Sequence, residues 1–322
     1  MSNRYYLAAD GGGSKVQAVL YDENFRIIRT GKMSGSNVLF KPAEDVKAEM
    51  NALLDTLLDG VLELTAADFC LVGSADDFQN GLNARCRVGA VYRHSEPRMG
   101  LAAAFCESGA LALSGTGSDA FVLKDGQTLV SVGGWGPLFG DEGSGYDIGL
   151  RSMKAAIYAY DGRRPPTALT RLIMEEFQLS NLWDMVFRMS HNPNARHEIA
   201  SVAKLTSIAA ADGDKVAQDI YRHAAHEMAL QTLTAIRRAP DAWNRKIILM
   251  GGAWKGSTLM AQAFQSEVKE AHPQAEVIFP VYDPVVGCVI LRALREGMPM
   301  EEIRACLQGK FDVYLYDRGG IS

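Results

Sequence analysis

Two glycine-rich turns in similar settings constrain this chain more than any other feature. The first spans residues 10–15 and the second spans residues 114–118, and each joins an apolar, strand-like segment to a second strand-like segment. Glycines let consecutive backbone N–H groups converge on an anion where a Cβ would interfere, and a neighbouring hydroxyl or lysine adds donors. One such turn is weak evidence, whereas two in matching settings predict a duplicated anion-binding unit.

Length, composition and charge limit the number of domains and the kinds of partner to be expected. At 322 residues, the chain exceeds the usual size of a single domain, so we expect two domains with substantial cores. A hydrophobic content of 48% with 22% charged residues is typical of a globular protein. The net charge of −5 argues against nucleic acid as a partner, because binding to a phosphate backbone requires a basic surface.

The sequence gives no sign of export, membrane insertion or a cysteine framework. The first residues lack the apolar core of a signal peptide, and no apolar run approaches membrane-spanning length. The cysteines are odd in number, widely spaced and never arranged as C-x-x-C, which predicts reduced thiols. We therefore expect a cytoplasmic protein with no membrane partner.

The pattern of apolar residues predicts alternating strands and helices. Residues 5–30 indicate three strands joined by tight turns, and a helical pattern follows from Val46 to Leu62. The later elements are predicted as strands at 69–72 and 87–92, a helix at 97–105, hairpin-like strands from 111, helices over 143–238 with a break around 191–193, a strand at 247–250, a helix from 257, a strand at 277–279 and a helix from 284. Such alternation favours mixed α/β sheets covered by helices.

On its motifs, the chain resembles the BadF/BadG/BcrA/BcrD ATPase family and the N-acetylglucosamine kinase branch of the actin-like ATPase superfamily. The motifs are residues 10–15, 34–37, 113–118, 133–136, 140–144, 250–254 and 284–287. The most specific is the Gly-Gly-Trp-Gly to Gly-Asp-Glu-Gly-Ser stretch at 133–144, because the glycine turns alone define only the superfamily. The resemblance implies an α/β fold of two ribonuclease-H-like domains with a nucleotide cleft between them. Residues 1–112 and 298–322 would form the N-terminal domain, and 113–297 the C-terminal domain with a helical insertion.

The resemblance implies ATP and Mg²⁺ as cofactors. Asp10 would hold the metal directly or through water, since magnesium keeps several waters in such sites. The two turns would donate to the phosphates through Gly11, Gly12, Gly13, Ser14, Lys15, Gly115, Thr116, Gly117 and Ser118. The adenosine would lie on the turn formed by Gly251, Gly252, Ala253 and Trp254. Neither glycine turn fits G-x-x-x-x-G-K-[ST], which disfavours a P-loop fold.

For the sugar, the resemblance points to Asn37 and Asp141, with Asp76 in a third loop. Amide and carboxylate groups pair with adjacent hydroxyls and lose partners when the wrong epimer binds. Asp119 stands where this branch often has asparagine, and its added negative charge would favour an amino sugar cation over the N-acetyl form. Asp76 and Asp141 have the alternative interpretation of solvated loop carboxylates.

The catalytic base departs from the family pattern. Sugar kinases of this family carry an aspartate just before the helix that leads to the second phosphate turn, and Glu96 takes its place here. Glutamate accepts a proton equally well, but its extra methylene moves the carboxylate, and about 1 Å of misplacement can cost on the order of 100-fold in rate. The alternative role for Glu96 is stabilisation of the first turn of its helix.

These predictions together describe an ATP-dependent kinase of an amino sugar, N-acetylglucosamine or glucosamine, with transfer to the 6-hydroxyl implied by the resemblance. A small-molecule sugar is the expected partner, and a homodimer is the expected assembly from the family. Two alternatives stay open. One is an ATPase coupled to another process, like the activators that drive electron transfer through an iron–sulfur cluster, although the cysteines here lack cluster spacing. The other is a non-catalytic sugar or nucleotide sensor, which the substitutions at Glu96 and Asp119 motivate.

Overall fold

The computed structural model of the chain describes residues 4–13, 15–38, 41–192 and 194–319. The chain divides into two compact units. The first unit comprises Met1–Glu107 and Pro280–Tyr316, and the second comprises Ser108–Phe279 and Asp317–Ser322. In the part of the chain that the structure describes, no helix is both long and apolar enough to cross a membrane.

The main sheet of the first unit combines an antiparallel half with a parallel half. Its strands are β1 (Tyr5–Gly11), β2 (Lys15–Asp22), β3 (Ile27–Ser34), β5 (Ala66–Leu71) and β7 (Val91–Arg93), while β4 (Glu63–Leu64) and β6 (Arg87–Val88) pair separately. The order across the sheet is β3-β2-β1-β5-β7. The first three strands are antiparallel neighbours, as predicted for residues 5–30, and β5 and β7 continue the sheet in parallel with β1.

Helices cover both faces of this sheet. They are α1 (Ala43–Leu58), α2 (Ala75–Asn83), α3 (Glu96–Ala103), α10 (Pro284–Arg295) and α11 (Met300–Leu307). Alternate residues of β1 enter different cores: Tyr6 packs in a cluster with residues of α10 and α11, whereas Leu7 packs in a cluster with residues of α1. The predicted helical pattern to Leu62 was too long. The helix ends at Leu58 because Gly60 adopts a φ of +70°, which breaks the helical path.

The second unit repeats the topology of the first. Its strands are β8 (Gly109–Ser114), β9 (Ser118–Lys124), β10 (Gln127–Gly133), β11 (Lys246–Met250) and β12 (Glu276–Ile278). Their order across the sheet is β10-β9-β8-β11-β12. Strand β9 pairs antiparallel with β8 and β10, and β11 pairs in parallel with β8 and β12. The duplication predicted from the two glycine turns is therefore confirmed at the level of sheet topology.

The helices of the second unit are more divided than the sequence pattern predicted. They are α4 (Gly145–Tyr160), α5 (Ala168–Glu176), α6 (Asp184–Ser190), α7 (Ala195–Ala211), α8 (Lys215–Arg238) and α9 (Thr258–Ala271). The predicted break around 191–193 separates α6 from α7, but the helical region between 143 and 238 is also divided at other points. Local chemistry explains two of these interruptions, because the side chains of Thr167 and Asp214 cap the starts of α5 and α8.

The limits of the two units differ from the expected domain boundaries. The expected boundaries lay at 112/113 and 297/298, whereas the units divide after Glu107 and after Phe279. The difference places α10 in the first unit, where it packs against α3 and β1. The two helices approach closely at Gly287, since a Cβ there would collide with the carbonyl oxygen of Met99. Helix α10 thus completes the first unit although it follows the second unit in sequence.

Candidate active site

The first glycine turn joins β1 to β2 and is tied to two neighbouring loops. The turn is closed by the Gly12 N–H, which donates to the Lys15 carbonyl at 3.2 Å. The Ser36 N–H donates to the Gly12 carbonyl at 2.9 Å, and the Val72 N–H donates to the Gly11 carbonyl at 3.0 Å. The ends of β1, β3 and β5 therefore meet at one edge of the sheet.

The glycines of this turn differ in the space around them. A Cβ on Gly11 would lie 2.6 Å from Val16 Cγ2, whereas a Cβ on Gly12 would meet nothing within 4 Å. Packing therefore requires glycine at position 11, while position 12 leaves open space beside the turn. Of the other predicted phosphate ligands, Gly13 lies in the described part of the turn and Ser14 lies outside the described residues.

Asp10, near the end of β1, lies in an acidic environment. Burial, followed by the negative charge of Glu96, raises the pKa of Asp10 to about 7. Lys15 acts in the opposite direction, and Asp283 contributes a further upward effect. Glu96 is the first residue of α3. The predicted metal anchor, base and lysine are therefore electrostatic neighbours within the first unit.

An amide bridge connects Lys15 to Asp283. Lys15 Nζ donates to Gln17 Oε1 at 3.0 Å, and Gln17 Nε2 donates to Asp283 Oδ2 at 3.5 Å. Asp283 occupies the N-cap position of α10, yet its side chain makes no cap hydrogen bond to that helix. Asp283 was not predicted from the sequence, although it directly precedes the family motif at 284–287.

The donors around Asp10 fit a magnesium ion that keeps most of its water. A carboxylate oxygen is a hard ligand of the kind that Mg²⁺ prefers, and a cation would offset the mutual repulsion of Asp10, Glu96 and Asp283. Within the described residues, no three or more His, Cys, Asp or Glu side chains are grouped so as to hold a metal ion. The fit is therefore to a cation held by one carboxylate together with water and phosphate oxygens, rather than to an all-protein cage.

Two predicted sugar ligands of the first unit have very different surroundings. Asn37 is buried beside Gly73, whose φ is +83° and whose Cβ would lie 2.9 Å from Asn37 Oδ1. Asp76 is exposed in the first turn of α2, and its Oδ1 accepts from Arg93 Nη2 at 2.7 Å. Asn37 thus lies beside the loop after β5, whereas Asp76 is a solvated carboxylate in an ion pair.

The second glycine turn supports the start of α4. The Gly115 N–H donates to the Gly117 carbonyl at 2.8 Å, which closes the turn between β8 and β9. The Gly145 N–H donates to the Gly115 carbonyl at 2.8 Å, and the Tyr146 N–H donates to the Thr116 carbonyl at 3.3 Å. The carbonyls of this turn are therefore occupied by the first N–H groups of a helix.

Two serines of the same turn form hydrogen bonds with the motif at 140–144. Ser114 Oγ donates to the Gly143 carbonyl and Ser118 Oγ donates to the Glu142 carbonyl, each at 2.7 Å. Both serines are buried. The hydroxyl of Ser118, which was predicted to donate to phosphate, is thus already engaged within the protein.

Asp141 lies against the second glycine turn in a buried ion pair. Its Oδ2 accepts from Arg196 Nη2 at 2.7 Å, and its Oδ1 accepts from the Ser118 N–H at 3.3 Å. A Cβ on Gly117 would lie 2.7 Å from Asp141 Oδ1. Asp141 also adopts a φ of +62°, which is uncommon outside glycine. Arg196 was not predicted from the sequence, and the structure places it beside the turn.

Asp119 follows the second turn at the start of β9. Ser131 Oγ lies 3.0 Å from Asp119 Oδ1 and 3.2 Å from Oδ2, within hydrogen-bond distance of both oxygens. A Cβ on Gly134 would collide with Asp119 Oδ2, and Gly134 has a φ of +71°. Burial raises the pKa of Asp119 to about 6, against the lowering effect of these hydrogen bonds, and Asp141 adds to the increase. Asp119 therefore lies beside the Gly-Gly-Trp-Gly motif in an environment that disfavours its negative charge.

The predicted adenosine turn is adjacent to the second glycine turn within the second unit. Strands β8 and β11 are parallel neighbours, with Met250 paired to Leu113. Gly251 follows with a φ of +116°, and a Cβ there would collide with the Ser114 carbonyl oxygen. Gly252 has open space around its Cα. The two turns thus approach each other backbone to backbone because position 251 is glycine.

The last two residues of the predicted adenosine turn are buried. Trp254 is 0% exposed, its Nε1 donates to the Ala112 carbonyl at 3.1 Å, and its ring lies edge-on to Phe264. Ala253 is also buried. The indole of Trp254 is therefore part of the core beneath the turn, which leaves the turn's backbone and Gly252 as its accessible surface.

The two sheets with matching topology and glycine turns define a two-domain protein of the actin-like ATPase fold. The model of the BadF/BadG/BcrA/BcrD ATPase family matches residues 9–291, and the chain belongs to this family.

Known proteins resemble the chain over nearly its full length. An N-acetylmuramic acid/N-acetylglucosamine kinase from Clostridium acetobutylicum is 26% identical over 304 residues, covering 89% of this chain and 98% of the relative. An N-acetyl-D-glucosamine kinase from Dictyostelium discoideum is 24% identical over 314 residues, covering 90% and 98%. A solved structure of a ROK family glucokinase from Streptomyces griseus, in complex with glucose and AMPPNP, matches with a TM-score of 0.60 at 15% identity, covering 91% of this chain and 100% of that structure. The last comparison supports the fold.

Proposed function

We propose that this protein is an ATP-dependent kinase that phosphorylates an amino sugar, N-acetylglucosamine or glucosamine. Membership of an ATPase family and likeness to two sugar kinases over about nine-tenths of the chain support the proposal. The structural observation that carries it is the placement of Asp10 near the end of β1, Lys15 at the start of β2 and Glu96 at the start of α3. The charges of Lys15 and Glu96 both act on Asp10. Phosphoryl transfer requires such a combination of an anionic anchor, a cation and a base.

In this mechanism, Glu96 accepts the proton of the attacking sugar hydroxyl. The hydroxyl oxygen forms a bond to the γ-phosphorus of ATP as the bond from that phosphorus to the β,γ-bridging oxygen breaks, which releases ADP. Lys15 is the proposed cation for the phosphate charge. The backbone N–H groups of each glycine turn stay predicted donors, although those of Gly12, Gly115 and Ser118 already donate within the protein. Asp10 would hold Mg²⁺, which when bound supplies further neutralisation of the phosphate oxygens.

Polar side chains are the proposed contacts of the sugar. Asn37 and Asp141 are the proposed ligands of the sugar hydroxyls, and the hydrogen bond from Arg196 would orient Asp141. Asp119 is the proposed contact of the 2-amino position, where its charge would favour glucosamine over the N-acetylated sugar. Asp76 is the proposed contact with the weakest support, because its carboxylate is exposed and already paired with Arg93.

Other parts of the proposal depend on the sequence alone. Transfer to the 6-hydroxyl, a homodimeric assembly and a cytoplasmic location stay predictions. The electron-transfer alternative has little support from the sequence, because the cysteines lack the spacing of an iron–sulfur cluster site. The sensor alternative predicts ligand binding without turnover.

The test is ADP release from magnesium-ATP across a panel of amino sugars and hexoses, with products identified by mass and the phosphate position by phosphorus–proton NMR coupling. Wild type is compared with Glu96→Ala and with Glu107→Gln, which alters an exposed carboxylate just beyond α3. We expect sugar-dependent turnover that collapses only in Glu96→Ala. ATP binding without stimulation by any sugar would overturn the kinase proposal and support the sensor.

A further inference from the structure

A buried carboxylate lies at the centre of a charged network in the first unit that the proposed mechanism does not use. Asp68, in β5, is 1% exposed. Arg295 of α10 donates from Nη1 to Asp68 Oδ1 at 2.7 Å and from Nη2 to Oδ2 at 2.9 Å. His94 Nε2 lies 2.8 Å from the same Oδ1. Asp68 thus accepts a two-point contact from an arginine and a third contact from a histidine.

The proton that His94 shares with Asp68 can be placed on Nε2. The side chain of His94 is 6% exposed, and Nδ1 is buried with no hydrogen-bond partner among the described residues. The ionised carboxylate of Asp68 can only accept a hydrogen bond, so His94 Nε2–H must be the donor of the pair. The polar contact that orients this imidazole is therefore the one to Asp68.

A network of this kind is weak evidence of a stabilising role, because replacement of buried ion pairs by apolar residues of similar volume is often neutral or stabilising. The network does connect three separate elements: β5 through Asp68, the end of β7 through His94, and α10 through Arg295. A rigid, hydrogen-bonded connection of this kind restricts the position of the chain that carries it.

The restricted chain leads directly to Glu96. The His94 N–H donates to the Phe69 carbonyl at 2.8 Å, and Ser95 is the N-cap of α3, whose first residue is Glu96. The preceding residue, Arg93, is held separately by Asp76 at 2.7 Å and by Gln79 at 2.6 Å. The consecutive side chains of Arg93 and His94 therefore anchor the chain to different parts of the unit just before the proposed base.

We propose that Asp68, His94 and Arg295 position Glu96 for catalysis, with His94 as the residue that transmits the restraint. This inference rests on the proposed function, in which Glu96 is the base. Loss of the restraint would displace the carboxylate without removing it, and a displacement of about 1 Å can lower the rate on the order of 100-fold. His94 is accordingly a positioning residue that does not touch the substrate.

The experiment compares His94→Leu, His94→Gln and the control His226→Leu. His226 is an exposed histidine of the second unit that is also paired with a carboxylate, that of Glu267 at 2.9 Å. We expect His94→Leu to lower kcat by about 10- to 100-fold, with KM for ATP and for the sugar changing by less than about 3-fold. His94→Gln retains a donor for Asp68 and should recover most of the loss, and His226→Leu should match wild type.

A double-variant cycle with Glu96→Ala separates positioning from an independent effect. If His94 acts through Glu96, adding His94→Leu to Glu96→Ala should lower the residual kcat no further. An equal loss in both backgrounds, a change confined to KM, or an unchanged kcat in His94→Leu would each overturn the inference.

Hydrogen exchange keeps this test distinct from the proposed function. If wild type shows no sugar-dependent turnover, the proposed function fails on its own. Whether the network restrains this segment is then decided by backbone hydrogen exchange of peptides covering 93–103, measured in wild type and in His94→Leu. Faster exchange confined to that segment would support the restraint, and unchanged exchange there would overturn it.

Discussion

Arg196 and Asp141, 55 positions apart in the chain, form a 2.7 Å ion pair against the second glycine turn. The side chain of Asp141 is 4% exposed and that of Arg196 is 20% exposed. The other oxygen of Asp141 accepts the Ser118 N–H, so the carboxylate joins α7 to the turn between β8 and β9. Without the guanidinium, this carboxylate would remain buried beside backbone groups with no counter-charge.

The first prediction concerns this pair. Arg196→Met removes the positive charge and keeps much of the side-chain volume, so Asp141 is left as an unpaired buried charge. We expect the free energy of unfolding to fall by about 3 kcal/mol, the lower end for breaking a buried pair. Urea unfolding at neutral pH measures the change.

The matched control for Arg196→Met is Arg171→Met. Arg171 pairs with Glu175 on the surface of α5, where the two side chains are 64% and 58% exposed. An exposed pair of this kind contributes less than about 0.5 kcal/mol, so the control should unfold almost as wild type does. Equal losses in the two variants would show that the burial of Asp141 is not what makes Arg196 important.

The second prediction compares neighbouring glycines in the adenosine turn. Gly251→Ala places a Cβ against the Ser114 carbonyl at a φ of +116°, whereas Gly252→Ala adds a methyl group at a φ of −72° with nothing within 4 Å. We expect Gly251→Ala to destabilise the protein by about 2–3 kcal/mol, because backbone cannot move aside as a side chain can, and Gly252→Ala to change stability by less than about 0.5 kcal/mol. Chemical denaturation of both variants tests this, and comparable losses would contradict the close backbone approach.

The third prediction is a pH-dependent gain in stability from Asp119→Asn. The pKa of Asp119 is raised to about 6 by burial, above its value in an unfolded chain. The folded state therefore binds more protons between about pH 4 and pH 6, and ionisation of Asp119 lowers stability as the pH rises through that window. Asparagine cannot ionise, so the variant should be more stable than wild type by about 1–2 kcal/mol at pH 7 and nearly equal to it at pH 4. A difference that does not vary with pH would contradict the role assigned to the charge.

The fourth prediction isolates the chemistry of Glu96 from its packing. Glu96→Gln keeps the shape of the side chain but cannot accept the proton of a sugar hydroxyl. We expect kcat to fall by about 10²- to 10⁴-fold, the usual contribution of a general base, while the thermal unfolding midpoint stays close to that of wild type. Steady-state kinetics alongside a melting curve provide the measurement. A variant with full activity would assign Glu96 to the first turn of α3 alone.

Local patterns predicted the framework of the site. The three strands over residues 5–30, the glycine turns after β1 and β8, and the repeat of the first unit's topology in the second all follow from residues that are close in sequence. Turn chemistry and apolar periodicity act over a few positions, so a single sequence carries this information. The same reasoning predicted that both turns bind phosphate, and this role stays a prediction.

Contacts between distant residues were not predictable in this way. The sequence placed Trp254 in the adenosine turn, but the fold buries its indole against Phe264. Asp283 could be read as an ordinary helix cap, whereas the structure joins it to Gln17 and Lys15. These relationships depend on which elements pack together. Asp283 can contact Gln17 because α10, which Asp283 precedes, packs in the first unit.

The sequence by itself therefore determined the duplicated α/β units, the glycine turns and the identity of the acidic and amide groups near them. Only the tertiary structure decided which of those groups are buried, paired or mutually repelling. Examples are the bond from Arg196 to Asp141, the burial and repulsion that raise the pKa of Asp10, and the network from Asp68 through His94 toward Glu96. The physical reason is that hydrogen bonds and charge effects depend on distance in space and on removal from water. Both quantities are set when separate elements pack, and neither is encoded in any short stretch of the chain.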